Sequence, residues 1–404
     1  MNIIIAQSGG PTAVINSSLY GVYNEALRSS KIGRIYGAKN GIEGIISGDF
    51  VDLTNFFQNN DAALLKQTPG AILGSCRYKL DTEKDFVEID GSIEEYDVGA
   101  IFYIGGNDSM DTVVKLSDHF TQTEKKCKVI GIPKTIDNDL YGTDHTPGFA
   151  SALKFVCTAI SEIALDSSAY NLESVTIIEI MGRDTGWLAA GTCVLKEFGL
   201  DVPHLTYLPE SEFDVFKFTA DVREKLLKKH SVIVAVSEGV SAAGRETSAF
   251  FDSFGHTKNA GIGKKLENII EEKLEVKCRS IELNTLQRCA GHIASLADIN
   301  EAELLGKAAV RAALSGDTGK MMTILRTDSP ADNLQAYNGN KYEIKIGTIP
   351  AEEVANRIKY FPKEWIGTGE NSIKGIAAPY FMPLIQGELN LVTENGLPKH
   401  LNLI

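Results

Sequence analysis

The stretch Val129-Ile130-Gly131-Ile132-Pro133-Lys134-Thr135-Ile136-Asp137-Asn138-Asp139 sets the reading of the whole chain. Its apolar opening predicts a short buried strand, which runs straight into a loop holding one lysine and two carboxylates. The succession recurs. Residues 2–6 predict a strand, followed by Ser8-Gly9-Gly10 and a helix over about 12–28. Residues 100–104 predict another, followed by Gly105-Gly106-Asn107-Asp108-Ser109 and a helix. Residues 175–180 lead into Met181-Gly182-Arg183 and a helix from near Thr185, and residues 231–236 into Ser237-Glu238-Gly239. Helices are also expected over 146–165, 215–230, 263–274 and 301–314, and strands over 280–284 and 320–325. Strands alternating with helices make this an α/β chain with mostly parallel sheets covered on both faces. Ligands of such sheets bind beyond the carboxyl ends of the strands, where the polar loops fall.

The 404 residues suffice for two or three domains. No run of about 18 apolar residues occurs, so neither a spanning helix nor a membrane partner is expected. The N-terminal MNIIIAQSGG reads as a first strand and not as a signal peptide. A formal charge of −13 argues against nucleic acid, which requires clustered Lys and Arg. The six cysteines are scattered without CxxC, and the seven histidines form no HExxH. The chain is therefore read as cytoplasmic, with reduced thiols.

The loops carry the chemistry. Gly9-Gly10 opens a helix, where backbone N–H groups and the helix N-terminus favour an anion; alone it is equally a plain turn. Gly105 to Ser109 repeats the arrangement, although Asp108 there must either meet a cation or exclude an anionic group. GxGxxG and GxxxxGK[ST] are both absent. In an extended segment Asp137 and Asp139 point the same way, with Lys134 and Thr135 just before them. Phosphoryl transfer to a hydroxyl needs a carboxylate to take the proton and cations to hold the phosphoryl group. Arg183 and Glu238 end strands, and Arg279 and Arg288 flank one. Arginines grip sugar phosphates in bidentate fashion, and Glu accepts from sugar hydroxyls. Each of these four is alternatively a structural ion-pair partner.

In this order, from Met1 to about Leu325, the loops resemble the phosphofructokinase family. The resemblance implies two doubly wound, mostly parallel-sheet domains with the site between them. A donor-binding domain would span 1–145, completed by about 291–335. A sugar-phosphate domain would span 146–290, and a segment 336–404 would pack on the body. Gly10 matches the donor loop, and Leu73-Gly74-Ser75-Cys76-Arg77 the segment whose arginine contacts donor phosphates. Asp137 matches the base for the 1-hydroxyl of fructose 6-phosphate, Asp139 its partner carboxylate, and Thr135 a phosphate contact, with Ile136 between them in the substrate-binding stretch. Met181, Gly182, Arg183 and Glu238 match sugar-binding positions. Arg279 and Arg288 match 6-phosphate ligands, one of them sometimes supplied by a neighbouring subunit. Thr285 stands where a His or Tyr of that loop is common, Ser174 replaces an intersubunit Arg, and Cys289-Ala290 replaces a Gly pair.

Two positions bear on the donor. ATP-dependent members carry Gly where this chain has Asp108 and Lys134, and pyrophosphate-dependent members resemble it at both. A carboxylate at Asp108 would repel an ATP α-phosphate, while Lys134 would neutralise pyrophosphate. Asn107 stands where the family has a metal-associated Asp, so Mg²⁺ is expected mostly on the pyrophosphate, with Asn107 as a weaker contact. The implied function is reversible phosphoryl transfer from pyrophosphate to fructose 6-phosphate by a homodimer or homotetramer. The rivals are an ATP-dependent or mixed-donor enzyme, a non-catalytic regulatory subunit, and an NAD-dependent oxidoreductase, which the missing glycine fingerprint disfavours.

Overall fold

Ile3, Ile4 and Ile5 are all fully buried, which requires cover on both faces of their strand. The computed structural model describes residues 1–241, 261–327, 342–367 and 373–403. It provides that cover with two sheets, each clad in helices.

The strands of these two sheets in chain order are β1 (Asn2–Gln7), β2 (Ile35–Ala38), β3 (Phe50–Asp52), β4 (Val98–Gly105), β5 (Lys128–Pro133), β6 (Ser174–Ile180), β7 (Leu205–Tyr207), β8 (Ser231–Ser237), β9 (Lys277–Glu282), β10 (Lys320–Arg326) and β11 (Ile344–Pro350). The larger sheet has the order β11-β10-β5-β4-β1-β2-β3 and the smaller β7-β8-β6-β9. The smaller is parallel throughout. In the larger, only the outermost pairs, β2 with β3 and β10 with β11, are antiparallel. Side chains alternate as the two-residue strand period demands. Ile3 and Ile5 pack with the helices Ile15–Leu27 and Leu296–Leu314. Ile4 and Ala6 pack with Glu83–Glu95 and Asn107–Gln122 on the opposite face.

The register aligns the strand ends that matter. Gln7 pairs with Ile104 and Gly105 with Pro133, so the loops after β1, β4 and β5 leave one edge together. Ile180 pairs with Ser237 at the corresponding edge of the smaller sheet. The helix Phe149–Ser168 joins the two halves. Its N-cap Gly148 has no capping side chain of its own. The fully buried Asp298, from the helix Leu296–Leu314, accepts instead from Gly148 N (3.0 Å), Ser151 N (2.9 Å) and Ser151 Oγ (2.6 Å).

The segment beyond about 336 is integral. Its β11 extends the larger sheet, and Phe361, Trp365, Tyr380 and Phe381 belong to the same buried cluster as Phe149 and Trp187. The Trp187 ring lies 5.2 Å from Phe361 and 5.5 Å from Tyr380, centroid to centroid. Beside this cluster the buried His145 donates to Asp144 Oδ1 (2.8 Å) and Glu301 Oε2 (2.7 Å), and Tyr342 donates to Glu301 Oε1 (2.6 Å). Burial alone would lower the His145 pKa. The Glu301 charge and the two carboxylate hydrogen bonds outweigh it and raise the pKa to about 9.

Two predictions arise from this packing. The helices Ile15–Leu27 and Leu296–Leu314 touch through glycines: a Cβ on Gly21 would lie 2.1 Å from Glu303 O, and one on Gly306 would lie 2.2 Å from Ser18 O. Gly21→Ala should cost about 1–3 kcal/mol, read as a lower denaturant midpoint at unchanged slope. The His145 imidazolium stabilises the fold fully below its unfolded pKa near 6.5. That contribution fades as pH rises through about 9. Chemical denaturation from pH 6 to 10 should show a loss of up to roughly 3 kcal/mol from this group, a loss that His145→Gln lacks.

Candidate active site

The Gly9-Gly10 loop is held from two sides. Ser75 Oγ donates to Gly9 O (2.6 Å), which binds the 73–77 loop and its exposed Arg77 to it. The Lys134 ammonium donates to Gly10 O (2.7 Å). A Cβ on Gly10 would sit 2.8 Å from Arg288 Nη1, so glycine lets that guanidinium approach the loop. Arg288 Nε is buried with no hydrogen-bond partner among the described residues. An unpartnered buried guanidinium nitrogen suits an arriving anion.

The loop after β5 forms the floor. Lys134 N donates to Gly105 O (3.0 Å), which ties it to the Gly105–Ser109 loop. Asp137 N donates to Thr135 Oγ1 (3.1 Å), and Thr185 Oγ1 donates to Asp137 O (3.1 Å). The extended geometry expected for 135–139 is absent. Asn138 has φ of 54°, in the left-handed region, so the chain bends between the two aspartates. Two-residue alternation therefore cannot be what relates Asp137 and Asp139. They are coupled by charge.

Asp137 is 8% exposed and Lys134 2% exposed. Desolvation raises the Asp137 pKa, opposed by Arg183, the Thr135 hydrogen bond and Lys134; Arg183 Nε lies 3.7 Å from Asp137 Oδ2. Asp139 is pushed up to about 7, first by burial and then by the Asp137 charge. Lys134 is pulled down to about 7 by burial and by Arg183, against the pull of Asp137. One carboxylate and one amine are thus brought to about 7 beside a second carboxylate whose pKa is raised, a pattern typical of catalytic centres.

The smaller sheet contributes the opposite wall. Glu238 Oε1 accepts from Gly182 N (3.1 Å) and Arg183 N (2.9 Å), and burial lifts its pKa to about 6. Met181 N donates to Gln287 Oε1 (3.3 Å). Ile136 turns its side chain into the core cluster with Phe149 and Trp187, leaving backbone to face the cleft. Arg279 and Arg288 do not flank a strand as expected. Arg279 lies within β9, an edge strand, and is exposed, whereas Arg288 lies on the short helix Leu286–Cys289. Thr285 is also exposed. One chain therefore gathers Gly10, Lys134, Thr135, Asp137, Asp139, Arg183, Glu238 and Arg288, and leaves Arg279 and Thr285 on its surface.

Asp108 is exposed in the first turn of the helix Asn107–Gln122, where the helix dipole favours a carboxylate. Asn107 is engaged by the C-terminal segment. Its Oδ1 accepts from Asn356 N (2.7 Å) and its Nδ2 donates to Arg357 O (2.7 Å). Among the described residues no cluster of three or more His, Cys, Asp or Glu could hold a metal ion.

Sequence reasoning missed Thr185, Gln287, Lys359 and Tyr380. Thr185 and Gln287 adjoin residues already singled out, so extending the two motifs would have found them. Lys359 and Tyr380 reach the floor from the far end of the chain and carry no local signal.

A sequence profile of the phosphofructokinase family matches residues 2–313. The pyrophosphate–fructose 6-phosphate 1-phosphotransferase of Xanthomonas campestris is 38% identical across all of this chain and 96% of its own length. The protein of that name from Halomonas elongata is 37% identical, over 98% of this chain and 95% of its own length. A crystal structure of pyrophosphate-dependent phosphofructokinase from Nitrosospira multiformis superposes with a TM-score of 0.88 at 34% identity, over 99% of this chain and 95% of that one. Motif order, fold and relatives agree, and the chain belongs to the phosphofructokinase family.

Proposed function

We propose that the chain transfers a phosphoryl group reversibly between pyrophosphate and the 1-hydroxyl of fructose 6-phosphate. The observation that carries this reading is the buried floor itself. There the Asp137 carboxylate, with a raised pKa, stands beside Arg183 and the Lys134 amine, which reaches the Gly9-Gly10 loop. In the forward direction Asp137 takes the proton of the 1-hydroxyl as its oxygen bonds to phosphorus. The bridging P–O bond of pyrophosphate breaks, and inorganic phosphate leaves. Positioning and charge neutralisation supply most of the rate.

Lys134, Thr135, Gly10 and Arg77 hold the donor. Lys134, with its lowered pKa, becomes fully protonated when the anion arrives, because a nearby negative charge favours the ammonium. Met181, Gly182, Arg183, Glu238 and Arg288 hold the sugar phosphate. Arg279, exposed on β9, completes the 6-phosphate pocket of a neighbouring subunit in a homodimer or homotetramer. Magnesium would be held mostly by pyrophosphate itself and would supply charge neutralisation there. The engaged amide of Asn107 suits at most a secondary contact to it. The chain has no helix among the described residues long and apolar enough to cross a membrane.

Three experiments test this. A coupled assay should show turnover of fructose 6-phosphate with pyrophosphate and little with ATP; turnover with ATP alone would overturn the donor assignment. Asp108→Gly combined with Lys134→Gly should then cut pyrophosphate turnover by about 100-fold or more, through loss of charge stabilisation. Asp137→Asn should lower kcat by on the order of 10²- to 10⁴-fold with small changes in KM, and a near-normal rate removes Asp137 from the base role.

A further inference from the structure

Asn138 separates the two carboxylates of the floor. It is fully buried and holds a left-handed backbone, which an L-residue keeps only when its surroundings enforce it. Here the enforcement comes from the C-terminal segment. Lys359 Nζ donates to Asn138 Oδ1 (3.2 Å), and Asn138 Nδ2 donates to Tyr380 Oη (3.2 Å). Each amide atom of Asn138 thus meets one residue of a segment more than 200 positions away.

The same two residues hold the chain that follows Asn138. Lys359 N donates to Asp139 O (2.8 Å). Lys359 Nζ also donates to Asp144 O (2.7 Å) and Thr143 O (3.2 Å), and Tyr380 Oη donates to Asp144 O (2.7 Å). Lys359 is fixed in turn by Trp187, whose Nε1 donates to Lys359 O (2.9 Å) and whose ring lies 5.0 Å from the ammonium. Three donors, Lys359 N, Lys359 Nζ and Tyr380 Oη, thus converge on the stretch from Asn138 to Asp144, which continues the loop that bears the base.

We propose that Lys359 and Tyr380 are positioning residues for the phosphoryl transfer, gripping Asn138 from both sides and so fixing the directions of Asp137 and Asp139. The inference rests on the reading of Asp137 as base and is independent of which donor is used. The grip also has an electrostatic side. Asp139 is faced by Asp137 and Lys134 from its own loop, by Arg183 from the loop after β6, and by Lys359 from the C-terminal segment. Lys359 is itself faced by Asp144 and Asp139. Its positive charge opposes the protonation of Asp139, so removing it makes Asp139 bind a proton at higher pH.

The test uses the full chain with whichever donor the wild type turns over, so that failure of the pyrophosphate assignment stays separate from failure of the grip. Tyr380→Phe deletes one hydroxyl, and Lys359→Met deletes the charge. Both should lower kcat, by on the order of 10- to 100-fold for Lys359→Met, with KM for both substrates within about threefold, as expected for misplacement of the reacting group. Tyr380→Phe should cost less in Asn138→Ala than in the wild type, because part of its effect runs through the Asn138 side chain and only the bond to Asp144 O is independent of it. Thermal melts report folding; if Lys359→Met does not fold, Tyr380→Phe and its cycle with Asn138→Ala decide alone. A natively folded Tyr380→Phe with kcat within twofold of wild type would overturn the proposal, as would losses confined to KM or fully additive with Asn138→Ala.

Discussion

Removing charge from water is expensive, and the floor of this cleft buries two carboxylates, a lysine and part of an arginine's field in one place. None of them is tolerable there alone. Asp137 keeps a raised pKa because burial outweighs Arg183 and Lys134, and Lys134 keeps a lowered one for the mirrored reason. The rest of the structure serves this constraint. Two sheets bring their carboxyl edges together so that cations and anions from separate loops can compensate one another. Packing beneath, from Ile136, Phe149 and Trp187, keeps water out.

Sheet topology explains why so few residues suffice. The loops after β1, β4 and β5 start level with one another because their strands pair in register up to Gln7, Gly105 and Pro133. Short backbone bonds, Lys134 N to Gly105 O among them, then transmit the order of the sheet to the loops. The smaller sheet does the same with the loops that carry Met181–Arg183 and Glu238. A small shift of either sheet would separate Arg183 from Asp137, so the long helix Phe149–Ser168 and its cap from Asp298 bear directly on the geometry of the floor.

What the sequence revealed follows the range of each interaction. The strands β1, β4, β5, β6, β8 and β10 were legible because apolar runs ending in Gly-rich or polar loops are local patterns. The short edge strands β2, β3 and β7 had too few residues to show a period. The helix Glu83–Glu95 escaped although Thr82 and Asp85 form a reciprocal capping box, a signal that was present and passed over. Asp298 as the cap of another helix had no local signature at all. Among site residues the same division holds. Asp137, Lys134, Arg183 and Glu238 follow strands and could be named. The extended backbone expected between Asp137 and Asp139 does not form, because Asn138 takes a left-handed turn held by Lys359 and Tyr380, hundreds of positions away in no recognisable pattern.

The donor question comes down to where charge can be accommodated. Lys134 touches Gly10 O, and in the proposed function it would meet the phosphates of the donor at the first loop. Its ammonium is desolvated, so it contributes most to an anion compact enough to lie against it. Asp108 sits in the first turn of its helix, occupying with its own negative charge a helix N-terminus that would otherwise attract a phosphate. Under the proposed function, a donor long enough to extend past Lys134 towards that helix would meet repulsion where an unblocked N-terminus would have offered attraction, whereas pyrophosphate would be short enough to avoid it. Selection on that reading would require no pocket shaped around pyrophosphate, only one cation placed near and one anion placed farther along the path of a longer donor.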